Sequence, residues 1–194
     1  MPEADGEIVG VLLAGGYSRR FGVDKLVQPL PDGTAIAVAA ARTLLAVCPR
    51  SISVLRPEQT TLRNLLIDVG VAVHVDAAPA RGLGDSLASA VRLTPRAAGW
   101  LVALADMPFL DVRTLRSVLE ALENGSEIAA PRYRGRRGHP MGFSRRWFAE
   151  LAGLQGDRGA RQFIDDLQPS IVLIEVDDAG VHRDIDTPGD LPAS

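Results

Sequence analysis

At 194 residues, with 46% hydrophobic and 23% charged residues, the chain can bury a sizeable core in one domain and has the composition of an ordinary globular protein, not of a disordered or fibrous one. A net charge of −3 gives no overall pull toward nucleic acid or an anionic membrane surface, although local arginine clusters can still face a phosphate. The lone Cys48 excludes an internal disulfide, no apolar run approaches membrane-spanning length, and the acidic start Met1-Pro2-Glu3-Ala4-Asp5-Gly6-Glu7 is unlike a basic signal segment, so a cytoplasmic protein is expected, with residues 1–6 as a flexible tail.

The first element, Ile8 to Ala14, is continuously apolar and β-branched at Ile8, Val9 and Val11, and Gly15-Gly16 stops it; it reads as a buried strand. Three further strands follow at Ser51 to Leu55, Val71 to Val75 and Trp100 to Ala105. Between and after them, Ala35 to Val47, Pro57 to Asp68, Leu83 to Leu93 and Val112 to Leu122 carry apolar residues at helical spacing. This alternation predicts βαβ units, hence an α/β fold: a three-layer, Rossmann-like, mainly parallel sheet with helices on both faces. Beyond Glu127 to Ala130 the rhythm changes to a Gly- and Arg-rich stretch, Arg132 to Pro140, then helical patterns at Arg145 to Leu151 and Ala160 to Leu167 and a late strand at Ile171 to Val176. No repeat or linker demands a second domain.

In such a sheet, ligands bind beyond the carboxyl ends of the strands, so the loops there carry the chemistry. The loop after the first strand has Gly15 and Gly16, which let the main chain approach a ligand, and Arg19, Arg20 and Lys25, which can neutralise anionic oxygens; a tight turn before a solvated basic helix end is the plainer reading. Neither the P-loop pattern nor the dinucleotide fingerprint is present. After the Trp100 strand, Asp106-Met107-Pro108 places a carboxylate suited to Mg²⁺, which takes one or two carboxylates plus substrate phosphates, while Asp111 is the better cap for the next helix. Asp184 and Asp186 share one side of an extended segment, as a ligand pair or as a turn and cap before Pro188.

Leu13-Ala14-Gly15-Gly16-Tyr17-Ser18-Arg19-Arg20-Phe21-Gly22 with Asp24-Lys25 is similar to the first motif of the molybdenum cofactor nucleotidyltransferases, proteins of the nucleotide-diphospho-sugar transferase type of fold. Ala105-Asp106-Met107-Pro108, Arg137-Gly138-His139-Pro140, Gly156-Asp157-Arg158-Gly159-Ala160-Arg161 and Asp184-Ile185-Asp186-Thr187-Pro188-Gly189-Asp190-Leu191 resemble later motifs of that family in the same order. The resemblance covers nearly the whole chain and implies one nucleotidyltransferase domain over residues 1–194, transferring the nucleoside monophosphate of CTP to a phosphorylated acceptor, molybdenum-molybdopterin first, and releasing pyrophosphate.

By the same resemblance, Lys25, Arg19 and Asp106 are catalytic. Leu13, Ala14, Gly15, Gly16, Ser18, Arg19, Lys25, Gly82, Gly84, Ser86 and Asp106 bind the nucleotide, and Asp106 and Asp186 bind Mg²⁺. His139, Pro140, Asp157, Arg158 and Arg161 face the acceptor, and a molybdoenzyme or its chaperone receives the product. From the residues alone, His139 is equally a structural hydrogen-bonding group, and Asp85 or Ser86 in Gly82-Leu83-Gly84-Asp85-Ser86 can simply cap a helix. Cys48, His74 and His182 read as structural or incidental. Gly15-Gly16 is the pairing typical of the guanylyl branch, whereas the later motifs point to the cytidylyl branch, so GTP is the alternative nucleotide and a sugar or polyol phosphate the alternative acceptor. A non-catalytic nucleotide-binding protein would need no second carboxylate, and an NAD(P)-dependent oxidoreductase would be expected to carry the missing fingerprint.

Overall fold

A computed structural model describes residues 6–14, 24–76, 82–156 and 171–191. In chain order its regular elements are β1 (Ile8–Leu13), α1 (Ile36–Leu45), β2 (Ser51–Leu55), α2 (Thr60–Asp68), β3 (Ala72–Val75), α3 (Leu83–Leu93), β4 (Gly99–Leu104), α4 (Val112–Glu123), β5 (Ile128–Tyr133), β6 (Arg136–Arg137), β7 (Met141–Ser144), α5 (Phe148–Ala152) and β8 (Ile171–Glu175). The expected strands and helices of the first two thirds are present within a few residues of their predicted ends, because each is a periodic apolar run bounded by breakers. The helical pattern from Arg145 divides into a 3-10 turn, Arg145–Trp147, and the short α5. The helix expected over Ala160 to Leu167 and the tail before Gly6 lie outside the described residues.

The strands form one sheet in the order β3-β2-β1-β4-β7-β5-β6, with β8 on the other side of β5. Strands β1 to β4 are parallel, and β5 pairs parallel with β8; β7 runs antiparallel to both β4 and β5. Inserting β7 between β4 and β5 therefore leaves six strands with their carboxyl ends at one edge. Sequence reading missed β7, since Met141-Gly142-Phe143-Ser144 is short and holds a glycine; α4 packs so closely there that a Cβ on Gly142 would stand 2.8 Å from the Leu122 side chain.

Strand alternation divides the apolar residues between the two faces. Leu12, Leu101, Ala103 and Ala129 point to α1, α2 and α4. Val9, Val11, Trp100, Val102, Ile128 and Ala130 point to α3 and α5. Trp100 is fully buried and satisfies its indole N–H on Thr94 Oγ1 at 2.9 Å. No helix among the described residues is long and apolar enough to cross a membrane. Between β1 and β4 the strand order reverses, since the chain steps outward to β2 and β3 before crossing back. Their carboxyl ends thus flank the crevice where open α/β sheets bind ligands.

Candidate active site

Strand β1 delivers its last residues to this crevice under tight backbone control. The Ala105 amide donates to the Leu13 carbonyl at 3.0 Å, Ser53 Oγ to the Leu12 carbonyl at 2.8 Å, and the Gln59 amide nitrogen to the Ala14 carbonyl at 3.0 Å. Gln59 is buried and also accepts from the Arg56 amide, so one side chain fixes where β1 stops; no motif marked it in the sequence. Gly15, Gly16, Ser18 and Arg19 lie outside the described residues.

The chain re-enters at Asp24, whose carboxylate accepts from the Leu26 amide and starts a 3-10 turn, Lys25–Val27, seated by the buried Leu26. This turn aims Lys25 into the crevice. Its Nζ donates to Asp106 Oδ2 at 2.9 Å and to Asp186 Oδ1 at 2.8 Å. Burial works against the Lys25 charge, but hydrogen bonds to Asp186 and Asp106 outweigh it and hold the ammonium above the usual lysine range. Asp106 follows β4 directly, while Asp186 arrives on the segment after β8, where the Ile185 amide donates to the Asp106 carbonyl at 2.9 Å. Asp186 is thus not the cap before Pro188. That role falls to Thr187, in a reciprocal capping arrangement with Asp190. Asp184 is exposed, on the opposite side of the chain from the fully buried Ile185.

Two carboxylate oxygens converge on one cation here, and carboxylates completed by phosphate oxygens are the donor set that Mg²⁺ takes. Among the described residues no three His, Cys, Asp or Glu side chains converge as a ready-made cage.

Gly82, with φ +149°, precedes α3, yet neither Asp85 nor Ser86 caps the helix. Asp85 instead accepts the Gly156 amide at 2.7 Å, the Gly84 amide donates to the Gly156 carbonyl at 3.0 Å, and Ser86 Oγ turns back to the Gly82 carbonyl. A Cβ on Gly84 would collide with the Gly156 carbonyl, an approach that accounts for this glycine without any ligand. The α3 entrance therefore holds the turn leading to Asp157, Arg158 and Arg161, which lie outside the described residues.

His139 precedes β7 at the same edge as Asp106, joined to the buried Pro140 by a cis peptide bond. Its amide donates to the Val181 carbonyl at 3.1 Å, and its buried Nδ1 has no hydrogen-bond partner among the described residues. Burial and the nearby Arg137 push its imidazole down to about 4, so it is neutral at pH 7. His182 is not incidental: its Nε2 contacts the Arg137 carbonyl at 3.1 Å and its ring lies against Tyr133. Cys48 is buried ahead of β2, at the opposite edge, and His74 is exposed on β3, the outermost of the parallel strands.

The family model of the MobA-like NTP transferase domain matches residues 10–171. The chain belongs to that family. It is a nucleotidyltransferase with the nucleotide-diphospho-sugar transferase fold. Among curated relatives it is 29% identical to the purine catabolism protein PucB of Bacillus subtilis and 30% identical to nicotine blue oxidoreductase of Paenarthrobacter nicotinovorans, in each case over 93% of this chain and 92% of the relative. It is 33% identical to a probable molybdenum cofactor guanylyltransferase of Natronomonas pharaonis over 66% of this chain and 62% of that protein. The crystal structure of Rv0371c from Mycobacterium tuberculosis superposes with a TM-score of 0.83 at 32% identity, covering 98% of this chain and 96% of that one, and the same protein has been crystallised with manganese. Lys25, Asp106 and Asp186 converge at the reversal of strand order, the place where open α/β sheets bind ligands.

Proposed function

We propose that this nucleotidyltransferase joins the nucleoside monophosphate of CTP to the terminal phosphate of a molybdopterin-type cofactor, with Mg²⁺ and with release of pyrophosphate. The observation that carries the reading is the meeting of Asp106 and Asp186 on Lys25 in a MobA-like chain. The backbone of Leu13 to Gly16 cradles the nucleotide, and Arg19 and Lys25 hold the triphosphate, Lys25 exchanging the two carboxylates for phosphate oxygens. Gly82, Gly84 and Ser86 border the nucleotide at the α3 entrance. Asp106 and Asp186 hold Mg²⁺, which supplies charge neutralisation on the α-phosphate when bound. A terminal phosphate oxygen of the acceptor attacks the α-phosphorus and the bond to the β-phosphate breaks; Lys25 and Arg19 steady the charge that accumulates on the departing pyrophosphate. His139 and Pro140 at the edge of β7, with Asp157, Arg158 and Arg161, face the acceptor. The product then passes to a molybdoenzyme or its chaperone.

GTP is the second reading of the same site, supported by Gly15-Gly16 and by the relatives named guanylyltransferase. The relative with an oxidoreductase name supports a redox reading less well, because the groups that converge in this chain are an ammonium and two carboxylates. A matrix of CTP, GTP, ATP and UTP against molybdopterin and sugar or polyol phosphates, read as Mg²⁺-dependent pyrophosphate release, tests the proposal. Turnover with CTP and molybdopterin is expected. Turnover only with GTP shifts the base, turnover only with another acceptor removes the cofactor role, and none with any pair overturns the reading.

A further inference from the structure

We infer that Asp178 is a positioning residue: it fastens the segment carrying Asp186 to the loop and helix that follow β4, and so sets Asp186 against Asp106. The inference rests on the reading of those two carboxylates as metal ligands.

Asp178 lies just beyond β8 and uses both oxygens of its carboxylate. Oδ2 accepts from the Asp111 amide at 3.0 Å and from Thr114 Oγ1 at 2.8 Å, and Oδ1 accepts from the Gly180 amide at 2.8 Å. Asp111 is the N-cap of α4 and Thr114 sits in its first turn, so Asp178 does from a distant segment what an acidic third residue does within a capping box. Its other oxygen starts the 3-10 turn Ala179–His182. One side chain therefore joins α4 to the strap over residues 179–186.

The strap then follows the β4–α4 loop closely. Gly180 lies where a Cβ would collide with the Phe109 carbonyl, the Arg183 guanidinium stacks 3.9 Å from the Phe109 ring centroid, and Ile185 is fully buried with its amide on the Asp106 carbonyl. Asp186 comes next. Its own side chain is 45% exposed, against 23% for Asp106, so packing around the carboxylate does little to place it and the strap's anchors do the placing. The Asp186 amide is held in turn by Asp190 Oδ2 at 3.1 Å. Of these anchors, Asp178 alone ties the strap's start to α4 through a charged acceptor, and such hydrogen bonds are the stronger kind.

The test is Mn²⁺ binding, read by electron paramagnetic resonance with CTP or GTP present and no acceptor, together with hydrogen exchange at the Ile185 amide. Asp178→Asn cannot accept on both sides and should weaken Mn²⁺ binding by about tenfold or more, as loss of a group that orients a ligand does, and should speed Ile185 exchange. Thr114→Val keeps the shape and removes one donor, whereas Thr114→Ser keeps the donor and loses a buried methyl. Mn²⁺ affinity should fall in the valine variant and return in the serine variant whatever the two melting temperatures do. This pair carries the test if Asp178→Asn does not fold. Asp186→Asn separates the two claims: unchanged Mn²⁺ affinity in that variant defeats the metal reading itself. If Asp186→Asn abolishes binding while the Asp178 and Thr114 variants bind Mn²⁺ normally, the positioning role is overturned.

Discussion

Asp106 and Asp186 end on the same ammonium but reach it from unlike parts of the molecule. Asp106 extends from β4, a fully paired strand in the middle of the sheet, and the Met107 and Leu110 side chains after it are buried. Asp186 sits on irregular backbone whose course is set by individual hydrogen bonds, among them those to Asp178, Asp106 and Asp190, and by the buried Val181 and Ile185. A sheet holds one carboxylate by many weak contacts acting together, and a strap holds the other by a few strong ones. Damage near Asp106 should therefore cost chemistry with little loss of fold, while damage in the strap should change the site before it changes global stability.

The sharpest way to break that contrast is Asp106→Ala. Turnover should fall by several orders of magnitude, the loss expected when a metal's charge stabilisation goes, while the melting temperature stays within a few degrees of the parent. Wild-type turnover at low Mg²⁺ would remove Asp106 from the metal site. Lys25→Ala comes next, with kcat/KM for the nucleotide down about 10- to 100-fold, read by steady-state kinetics; Lys25→Arg should recover little, since a planar fork does not replace a compact ammonium between two carboxylates.

Gly84→Ala probes a third anchoring mode, close backbone approach. The added Cβ meets the Gly156 carbonyl, so chemical denaturation should show a loss of about 1–3 kcal/mol. An unchanged midpoint would mean that the turn at Gly156 yields freely.

The smallest effect is a pH dependence at His139. Its folded-state value, about 4, lies below the ordinary 6.5. The unfolded chain therefore takes up a proton that the folded chain refuses, and stability is lost as pH falls from 6.5 toward 4. Denaturation from pH 7 to 4 should show this slope in the parent and a shallower one in His139→Gln. An NMR titration with the imidazole charging near 6.5 would contradict the assignment.

The same contrast explains what was legible in the sequence. Strands β1 to β4 and helices α1 to α4 announce themselves because burial on a sheet or a helix face imposes a period. The strap, β7 and the Asp85–Gly156 tie do not, since they depend on side-chain-to-backbone bonds and on glycines that let two backbones approach, neither of which leaves a period. The family resemblance puts Lys25, Asp106 and Asp186 at one site, but no local pattern shows their meeting, because 81 and 161 residues separate Lys25 from its partners. Gln59 and Asp178 went unread for the same reason. Asp178 alone left a local trace, as the first residue of an Asp-Ala-Gly turn.

The claim that both carboxylates serve one nucleotide-transfer centre is tested most directly by a double-mutant cycle on Mg²⁺-dependent pyrophosphate release, comparing Asp106→Asn, Asp186→Asn and the combined variant. Groups that act as a unit lose their function together, so the double variant should be scarcely slower than the slower single one. Losses that multiply would show the two carboxylates acting independently and would contradict the account.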